Sequence, residues 1–202
     1  MKLYEKVIDV SETPTIVFGR RASTWWGTTA FIAIEATTLV ICTMTYLYVR
    51  KNFHHWPPPP LRVPDLIRPT LGAVFLALTN IPNYWLHQRV RRFDKRSTQV
   101  GLLIMSVLAA AAIVFRVFVF RDLNVHWDSN AYGSAAWIAV AFHSTLLFLE
   151  ALETWVFTAL FWFGPIEGKH FSDVDDNCVY WYFMSLVWIP MYTLIFLTPR
   201  LI

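Results

Sequence analysis

The apolar residues of this chain fall in long blocks separated by short polar stretches, without the alternation of a surface helix or strand. A helical block of about 20 apolar residues matches the ~30 Å hydrocarbon core of a bilayer. The blocks predict five transmembrane helices, at residues 24–49, 70–88, 100–120, 132–163 and 179–198. We therefore predict an all-α polytopic membrane protein, a five-helix bundle preceded by a polar lead-in at residues 1–23.

The composition supports a membrane location and excludes other classes. Of the 202 residues, 56% are hydrophobic and only 15% are charged, which is unusual for a soluble domain. The net charge of +3 is modest, and the basic residues lie between the apolar blocks, so nucleic acid is not an expected partner. The two cysteines, Cys42 and Cys178, fall at different predicted depths, and we expect no disulfide between them.

Lys and Arg residues are distributed unequally between the two predicted sides of the membrane. Ten lie on the side of the N-terminus and six on the other, and the densest cluster, RVRRFDKR, occupies residues 89–96. Basic loops are retained in the cytoplasm. We expect a multi-pass membrane protein with a cytoplasmic N-terminus and a C-terminus on the opposite side.

The connection between the first two predicted spans contains four consecutive prolines, Pro57–Pro60. Such a run predicts a stiff polyproline II spacer. A proline-rich ligand for a recognition domain is the alternative. The second span itself is the least regular, because Asn80, Pro82 and Asn83 interrupt it.

Apart from His87 near the end of the second span, five acidic, basic or histidine residues fall inside the predicted spans, where each costs about 3 kcal/mol: Glu35, Arg116, His143, Glu150 and Glu153. Glu35 lies about 15 Å from the cytoplasmic end of its helix, and the other two glutamates lie at a similar depth. The three could face one another, a lipid head group or a water-filled crevice, and Glu35 could equally be a protonated packing residue. For Arg116 we expect snorkelling to the interface or an ion pair, and for His143 a hydrogen bond between helices.

Four short motifs occur in order along the chain. They are TAFIAIEATTLV around Glu35, WPPP at residues 56–59, Tyr132–Gly133–Ser134 followed after seven residues by Phe142–His143, and VYWYFMSLVWIPMYTLIF at residues 179–196. Together they resemble subunit III of the haem–copper cytochrome c oxidases, from about residue 24 to the C-terminus. Members of that family often have seven helices, so the resemblance maps the five spans onto the last five.

The chain also departs from the family pattern. Leu146 stands where the family has the second histidine of F-H-G-L-H, and Tyr182 and Ser185 stand for the histidine and aspartate of its closing motif. Glu150 and Glu153 have no counterpart in the common pattern. Proton or lipid contacts at these positions are therefore not carried over.

The resemblance implies a non-catalytic subunit of an enzyme complex that oxidises cytochrome c, reduces oxygen to water and pumps protons in aerobic respiration. The complex is then expected in a bacterial inner (plasma) membrane, with the C-terminus of this chain in the periplasm. Haem and copper are expected in partner subunits, and this chain is expected to bind no redox metal. Subunit I is the implied main contact, with subunit II and a small subunit IV as further partners. Structural phospholipids are implied in a cleft, where Glu35 is the buried carboxylate that the resemblance carries over.

Two other functions stay open at this point. The first is the accessory subunit of a nitric oxide reductase, which shares the subunit III scaffold. The second is a free-standing small transporter that uses Glu35, Glu150 and Glu153 as a proton or cation site. The haem content of the purified complex distinguishes all three functions.

Overall fold

The computed structural model describes residues 16–201, so most of the predicted lead-in lies outside the described residues. A short 3₁₀ turn, Gly19–Arg21, precedes the first helix. The α-helices are α1 (Ser23–Arg50), α2 (Ile67–Leu78), α3 (Asn80–Val90), α4 (Lys95–Arg121), α5 (Ala131–Phe163), α6 (Gly168–Tyr192) and, after the π-helical turn Thr193–Leu197, α7 (Thr198–Leu201). The predicted all-α membrane bundle is confirmed.

In the described part of the chain, four helices are long and apolar enough to cross a membrane: α1, α4, α5, and α6 with its continuation to Leu201. Helix α5 lies at the centre and packs against α1, α4 and α6. In the most apolar 18-residue stretch of α5, 50% is buried within the protein. The corresponding share in α1 is 22%, so α1 is the most peripheral of the four helices. The central position of α5 explains why it can carry ionisable side chains.

The helices run alternately up and down and define two faces of the bundle. The N-face, where α1 begins, also contains the end of α3, the start of α4, the end of α5 and the start of α6. The C-face contains the end of α1, the start of α2, the end of α4 and the start of α5. Consecutive crossings of the bundle are therefore antiparallel.

The second predicted span is divided into α2 and α3 at Thr79. Pro82 has no N–H to donate to the carbonyl of Leu78, which interrupts the helical ladder at this point. The Thr79 hydroxyl donates to Leu76 O at 2.6 Å and satisfies one carbonyl beside the break. The irregularity thus has a local cause in the sequence.

Helices α2 and α3 together still cross the bundle beside α6. At the C-face the Thr70 hydroxyl bonds that of Tyr192, and at the N-face Arg91 bonds Asp175. Residues 175 and 192 of α6 are separated by a rise of about 26 Å, close to the thickness of the hydrocarbon core. Within residues 16–201 the helices therefore pass between the two faces five times, and one of these passes is made in two pieces.

Two predicted features are wrong. The connection predicted between the last two spans is largely helical, because α6 begins at Gly168, eleven residues before the predicted start. The polyproline II spacer is not formed, since the Leu61 N–H donates to Pro58 O at 3.1 Å and closes a turn. A polyproline II helix has no internal hydrogen bonds. Trp56, which precedes the turn, instead packs into the C-face core.

Candidate functional site

A cleft of about 430 Å³ opens between α1, α5 and α6, nearer the N-face than the C-face. Gly27 lies in its wall, and a Cβ added there would meet nothing within 4 Å. The cleft combines apolar, carboxyl, amide and phenol groups. Its lining is Gly27, Thr28, Phe31 and Glu35 from α1, Leu149 and Glu153 from α5, and Asp176, Asn177 and Tyr180 from α6.

Glu35 is buried in the inner wall of the cleft, with 4% of its surface exposed. The hydroxyl of Tyr180 donates a hydrogen bond to its Oε2 atom. This bond joins α1 to α6 across 145 residues of sequence. Since Glu35 belongs to the first family motif and Tyr180 to the last, the contact shows that these two motifs meet.

Glu150 lies one layer behind the cleft and does not line it. It is 2% exposed, and the side-chain amide of Asn177 donates to its Oε1 atom at 2.7 Å. The Thr154 hydroxyl completes the group, at 3.4 Å from Asn177 Oδ1. Asn177 thus connects a fully buried carboxyl group to the wall of the cleft.

Two more carboxyl groups reach the cleft on its outer side. Glu153 is exposed there, whereas Asp176 is 94% buried because only 6% of its surface remains accessible. The Oδ2 atom of Asp176 has no hydrogen-bond partner among residues 16–201. The outer side of the cleft therefore contains one exposed and one buried acid.

Arg116 and His143 form a separate polar centre between α4, α5 and α6. Arg116 Nη2 lies 3.0 Å from His143 Nδ1, and the guanidinium carbon lies 3.7 Å from the centre of the Trp188 ring. His143 Nε2 donates to Met184 O at 3.0 Å, so the ring accepts from Arg116 through Nδ1. The interpretation of His143 as a hydrogen-bonding residue between helices is confirmed.

The expectation for Arg116 is wrong in both of its forms. With 7% of its surface exposed, the residue does not snorkel to the interface. Within residues 16–201 it makes no salt bridge with a carboxylate. Its charge is instead stabilised by the imidazole and by the face of Trp188, where a desolvated cation–π contact contributes about 2 kcal/mol.

The proline motif and the Tyr132–Gly133–Ser134 motif meet at the C-face. The Trp56 and Tyr132 rings pack edge to face with centroids 4.7 Å apart, and Trp56 Nε1 donates to Tyr46 OH at 2.9 Å. Gly133 lies against the loop before α5, and the Ser134 hydroxyl donates to Trp127 O at 2.7 Å. The motif therefore fixes this loop onto the first turn of α5.

A charged cluster at the N-face was missed in the sequence. Arg91 Nε donates to Asp175 Oδ1 at 2.6 Å, and His87 Nε2 lies 2.8 Å from the same oxygen. The hydrogen bond from Arg91 to Asp175 raises the pKa of Arg91. Asp175 falls in the stretch predicted as a loop. Its position beside Arg91 depends on the earlier start of α6, which the pattern of apolar residues did not indicate.

No group of three or more His, Cys, Asp or Glu side chains among residues 16–201 is arranged to hold a metal ion. Cys42 and Cys178 are both free and buried. His143, the deep histidine, has both ring nitrogens engaged by protein groups, so its donors do not fit an axial haem ligand.

The sequence was compared with known proteins. Cytochrome c oxidase subunit 3 of Thermostichus vulcanus is 20% identical over 178 residues, which make up 86% of this chain and 87% of that protein. A probable cytochrome c oxidase subunit 3 of Mycobacterium tuberculosis is 26% identical over 151 residues, 70% of this chain and 71% of that protein.

The chain is similar in sequence to cytochrome c oxidase subunits III. Its similarity to the subunit 3 of Rhipicephalus sanguineus is 24% identity over 132 residues, 63% of this chain but only 50% of that protein. No protein-family model matches the sequence. The chain thus resembles the first two subunits over most of their length and spans about half of the third.

The structure separates the five candidate residues into two places. Glu35 and Glu153 line the cleft, with Glu150 directly behind it, whereas Arg116 and His143 belong to the other centre. Sequence reasoning missed the α6 side of the cleft, Asp176, Asn177 and Tyr180. The spacing of Asp176 and Tyr180, one helical turn apart, is the signal that could have placed both on one face.

Proposed function

We propose that this chain is the non-catalytic subunit III of a proton-pumping cytochrome c oxidase in a bacterial plasma membrane. The observation that carries the proposal is the similarity to oxidase subunits III over up to 86% of the chain. The structure gives this similarity a physical basis, because the family motifs meet in pairs across the bundle. Glu35 contacts Tyr180, Trp56 contacts Tyr132, and His143 contacts the Trp188 ring, with centroids 4.9 Å apart.

Haem and copper belong, in this proposal, to partner subunits. The chain packs against subunit I, near subunit II and a small subunit IV, in a complex that oxidises cytochrome c and reduces oxygen to water. Its N-terminus is cytoplasmic, which fits the basic N-face with Arg91 and its neighbours. The role of the chain is to stabilise subunit I and to support its proton uptake during sustained turnover.

The cleft between α1, α5 and α6 is proposed as a phospholipid site. Its volume of about 430 Å³ and its opening at membrane depth suit part of a lipid molecule. Phe31 and Leu149 supply apolar wall, and Glu35 with Tyr180 supplies a polar inner end. A bound lipid would fill a gap that otherwise leaves α1 packed along only part of its length.

The test is a Glu35→Ala variant of the whole oxidase complex. Truncation leaves the buried Tyr180 hydroxyl without its acceptor, at a cost of about 1–3 kcal/mol. We expect unchanged haem content, fewer bound lipids by mass spectrometry and faster loss of activity during continuous turnover. Glu35→Gln keeps an acceptor for Tyr180 and is the matched control for packing.

The result that would contradict the proposal is an unchanged inactivation rate together with unchanged bound lipid in Glu35→Ala. The optical spectrum of the purified complex is recorded in the same experiment. Haem types and subunits of a nitric oxide reductase, or a chain that purifies without haem, would exclude a cytochrome c oxidase.

A further inference from the structure

Arg116 is a buried cation without a counter-charge. It is 93% buried, since 7% of its surface is accessible, and no carboxylate of residues 16–201 forms a salt bridge with it. A guanidinium stays charged inside a protein. His143 accepts one hydrogen bond from it, and Trp188 offers the face of its indole ring. Both groups are neutral, so the positive charge stays uncompensated in a medium of low dielectric.

One nitrogen of this guanidinium also lacks an acceptor. Arg116 Nη2 is bonded to His143 Nδ1, whereas Nη1 is buried and has no hydrogen-bond partner in the described part of the chain. Buried polar atoms are almost always hydrogen-bonded, because an unpaired one loses its water without any return. The Nη1 group therefore requires an acceptor that the described residues do not supply.

A small cavity of about 10 Å³ lies at this point, between α2, α4, α5 and α6. Among the residues that the structure describes, Arg116 contributes the one charged group to its lining, and the remainder is Gly72 and apolar or aromatic side chains. Since the guanidinium lies over the Trp188 ring and both residues line the cavity, the unsatisfied Nη1 atom adjoins it. A space of this size holds a single small particle.

The chemistry of the wall favours an anion over a water molecule. A buried water molecule needs about two to four polar partners, some of which must accept its own protons. Arg116 can only donate, and the Leu76 carbonyl in the wall already accepts from the hydroxyls of Thr79 and Ser185. An anion needs donors alone, and it also supplies the counter-charge that the guanidinium lacks.

The cavity lies near a face of the bundle that attracts anions. Arg116 is five residues before the C-face end of α4, a rise of about 8 Å. The C-face segments 50–69, 121–130 and 198–201 together contain six Lys or Arg residues and three Asp residues. A surface with this excess of positive charge raises the local concentration of anions.

We propose that the cavity beside Arg116 is a binding site for one monatomic anion, chloride under ordinary conditions. The anion accepts a hydrogen bond from Nη1, neutralises the guanidinium and fills the space between α4 and its neighbours. The site consists of groups of this chain alone and is independent of the proposed oxidase function. Its effect is to stabilise the packing of α2 and α6 against α4.

The experiment measures the melting temperature of this chain in its purified membrane complex while sodium chloride is replaced stepwise by sodium gluconate at constant ionic strength. Gluconate has too many atoms for a cavity of this size. Alkylation of the buried thiols of Cys42 and Cys178 during heating reports the unfolding of this chain. Above the dissociation constant, each tenfold increase in chloride should raise the melting temperature by about 4 °C. A wild-type melting temperature that does not depend on chloride overturns the proposal.

Three variants localise the effect. Arg116→Met removes the charge, and Ala112→Val fills the cavity from its wall while Arg116 is kept. Both should lose the dependence on chloride, whatever their melting temperature in gluconate. Arg121→Gln removes an exposed C-face charge outside the cavity and should keep the dependence. If Arg116→Met does not assemble, Ala112→Val gives the answer, and a dependence that survives in it contradicts the site.

A second measurement identifies the occupant. Crystals of the complex are soaked in sodium bromide, whose anion scatters anomalously. We expect an anomalous peak in contact with Arg116 Nη1. Density at that position without an anomalous signal, from a water molecule or from a carboxylate of a partner subunit, overturns the assignment to a monatomic anion.

Discussion

Gly133 at the start of α5 offers the sharpest test of the packing described above. A Cβ added at this position would lie 2.2 Å from His126 O and 2.9 Å from a methyl carbon of Val125. Neither atom belongs to a flexible side-chain end that could turn away without cost. The Gly133→Ala substitution therefore forces the loop before α5 to move by about 1 Å to restore ordinary contact distances.

The loop resists this movement because it is bonded to α5 on both sides of the clash. Trp137 Nε1 donates to Val125 O at 2.7 Å, and the Ser134 hydroxyl donates to Trp127 O at the same distance. Overpacking of this kind costs about 1–3 kcal/mol. The gain of about 0.5–1 kcal/mol from replacing a helical glycine by alanine offsets part of that cost.

Gly27→Ala is the matched control, because it lies in α1 where an added Cβ meets nothing within 4 Å. Both variants share the helix-propensity gain, so the difference between them isolates the clash. A difference of about 2 kcal/mol corresponds to about 6 °C in melting temperature for a chain of this size. We expect Gly133→Ala to melt lower than Gly27→Ala by that amount.

The melting temperature is measured on the solubilised complex through the buried thiols of this chain. Cys42 and Cys178 are both buried in the folded state and become reactive on unfolding. Alkylation during a series of heating steps, followed by mass spectrometry of this chain, gives its own transition. Equal melting temperatures for the two variants would refute the close contact between Gly133 and the loop.

Two further predictions concern other polar contacts. Asn177→Leu removes the donor to Glu150 and should lower the free energy of unfolding by about 1–3 kcal/mol. Glu150→Gln keeps an acceptor for Asn177 and should lower the free energy of unfolding by less. Equal effects of the two variants would mean that Glu150 does not depend on this hydrogen bond. Hydrogen bonds from Ser97 lower the pKa of Asp94, which caps α4, so its stabilising effect is complete above the usual aspartate range and disappears as the pH falls through the lowered value. Asp94→Ser keeps a cap without a charge, and its stability should vary less than that of the wild type between about pH 4 and pH 2.

Part of the candidate site could be predicted from the sequence. Glu35 and Glu153 stand out because an ionisable residue in an apolar run is costly and rare. Asp176 does not stand out, since the stretch KHFSDVDDN, at residues 169–177, has the polarity of a loop. It is helical because α3 and α5 pack beside it, with Arg91 bonded to Asp175.

The partners of the buried charges were likewise beyond sequence reasoning. The length of the Arg116 side chain suggested that it reaches the interface. In the structure Arg116 instead contacts His143 and the Trp188 ring. Both contacts depend on how α4, α5 and α6 are rotated about their axes. A helical wheel places residues on a face but does not say which helix that face meets.

The sequence by itself determined the membrane location, the helical class and the five crossings, because apolar runs of about 20 residues have few other stable structures. It also carried the four motifs that resemble those of oxidase subunits III, and residues of these motifs form contacts between helices. Only the tertiary structure decided which helices those motifs join and where the cleft opens. The physical reason is that the contacts join residues far apart in the sequence. Glu35 and Tyr180 are separated by 145 residues, and their contact depends on how the helices between them pack.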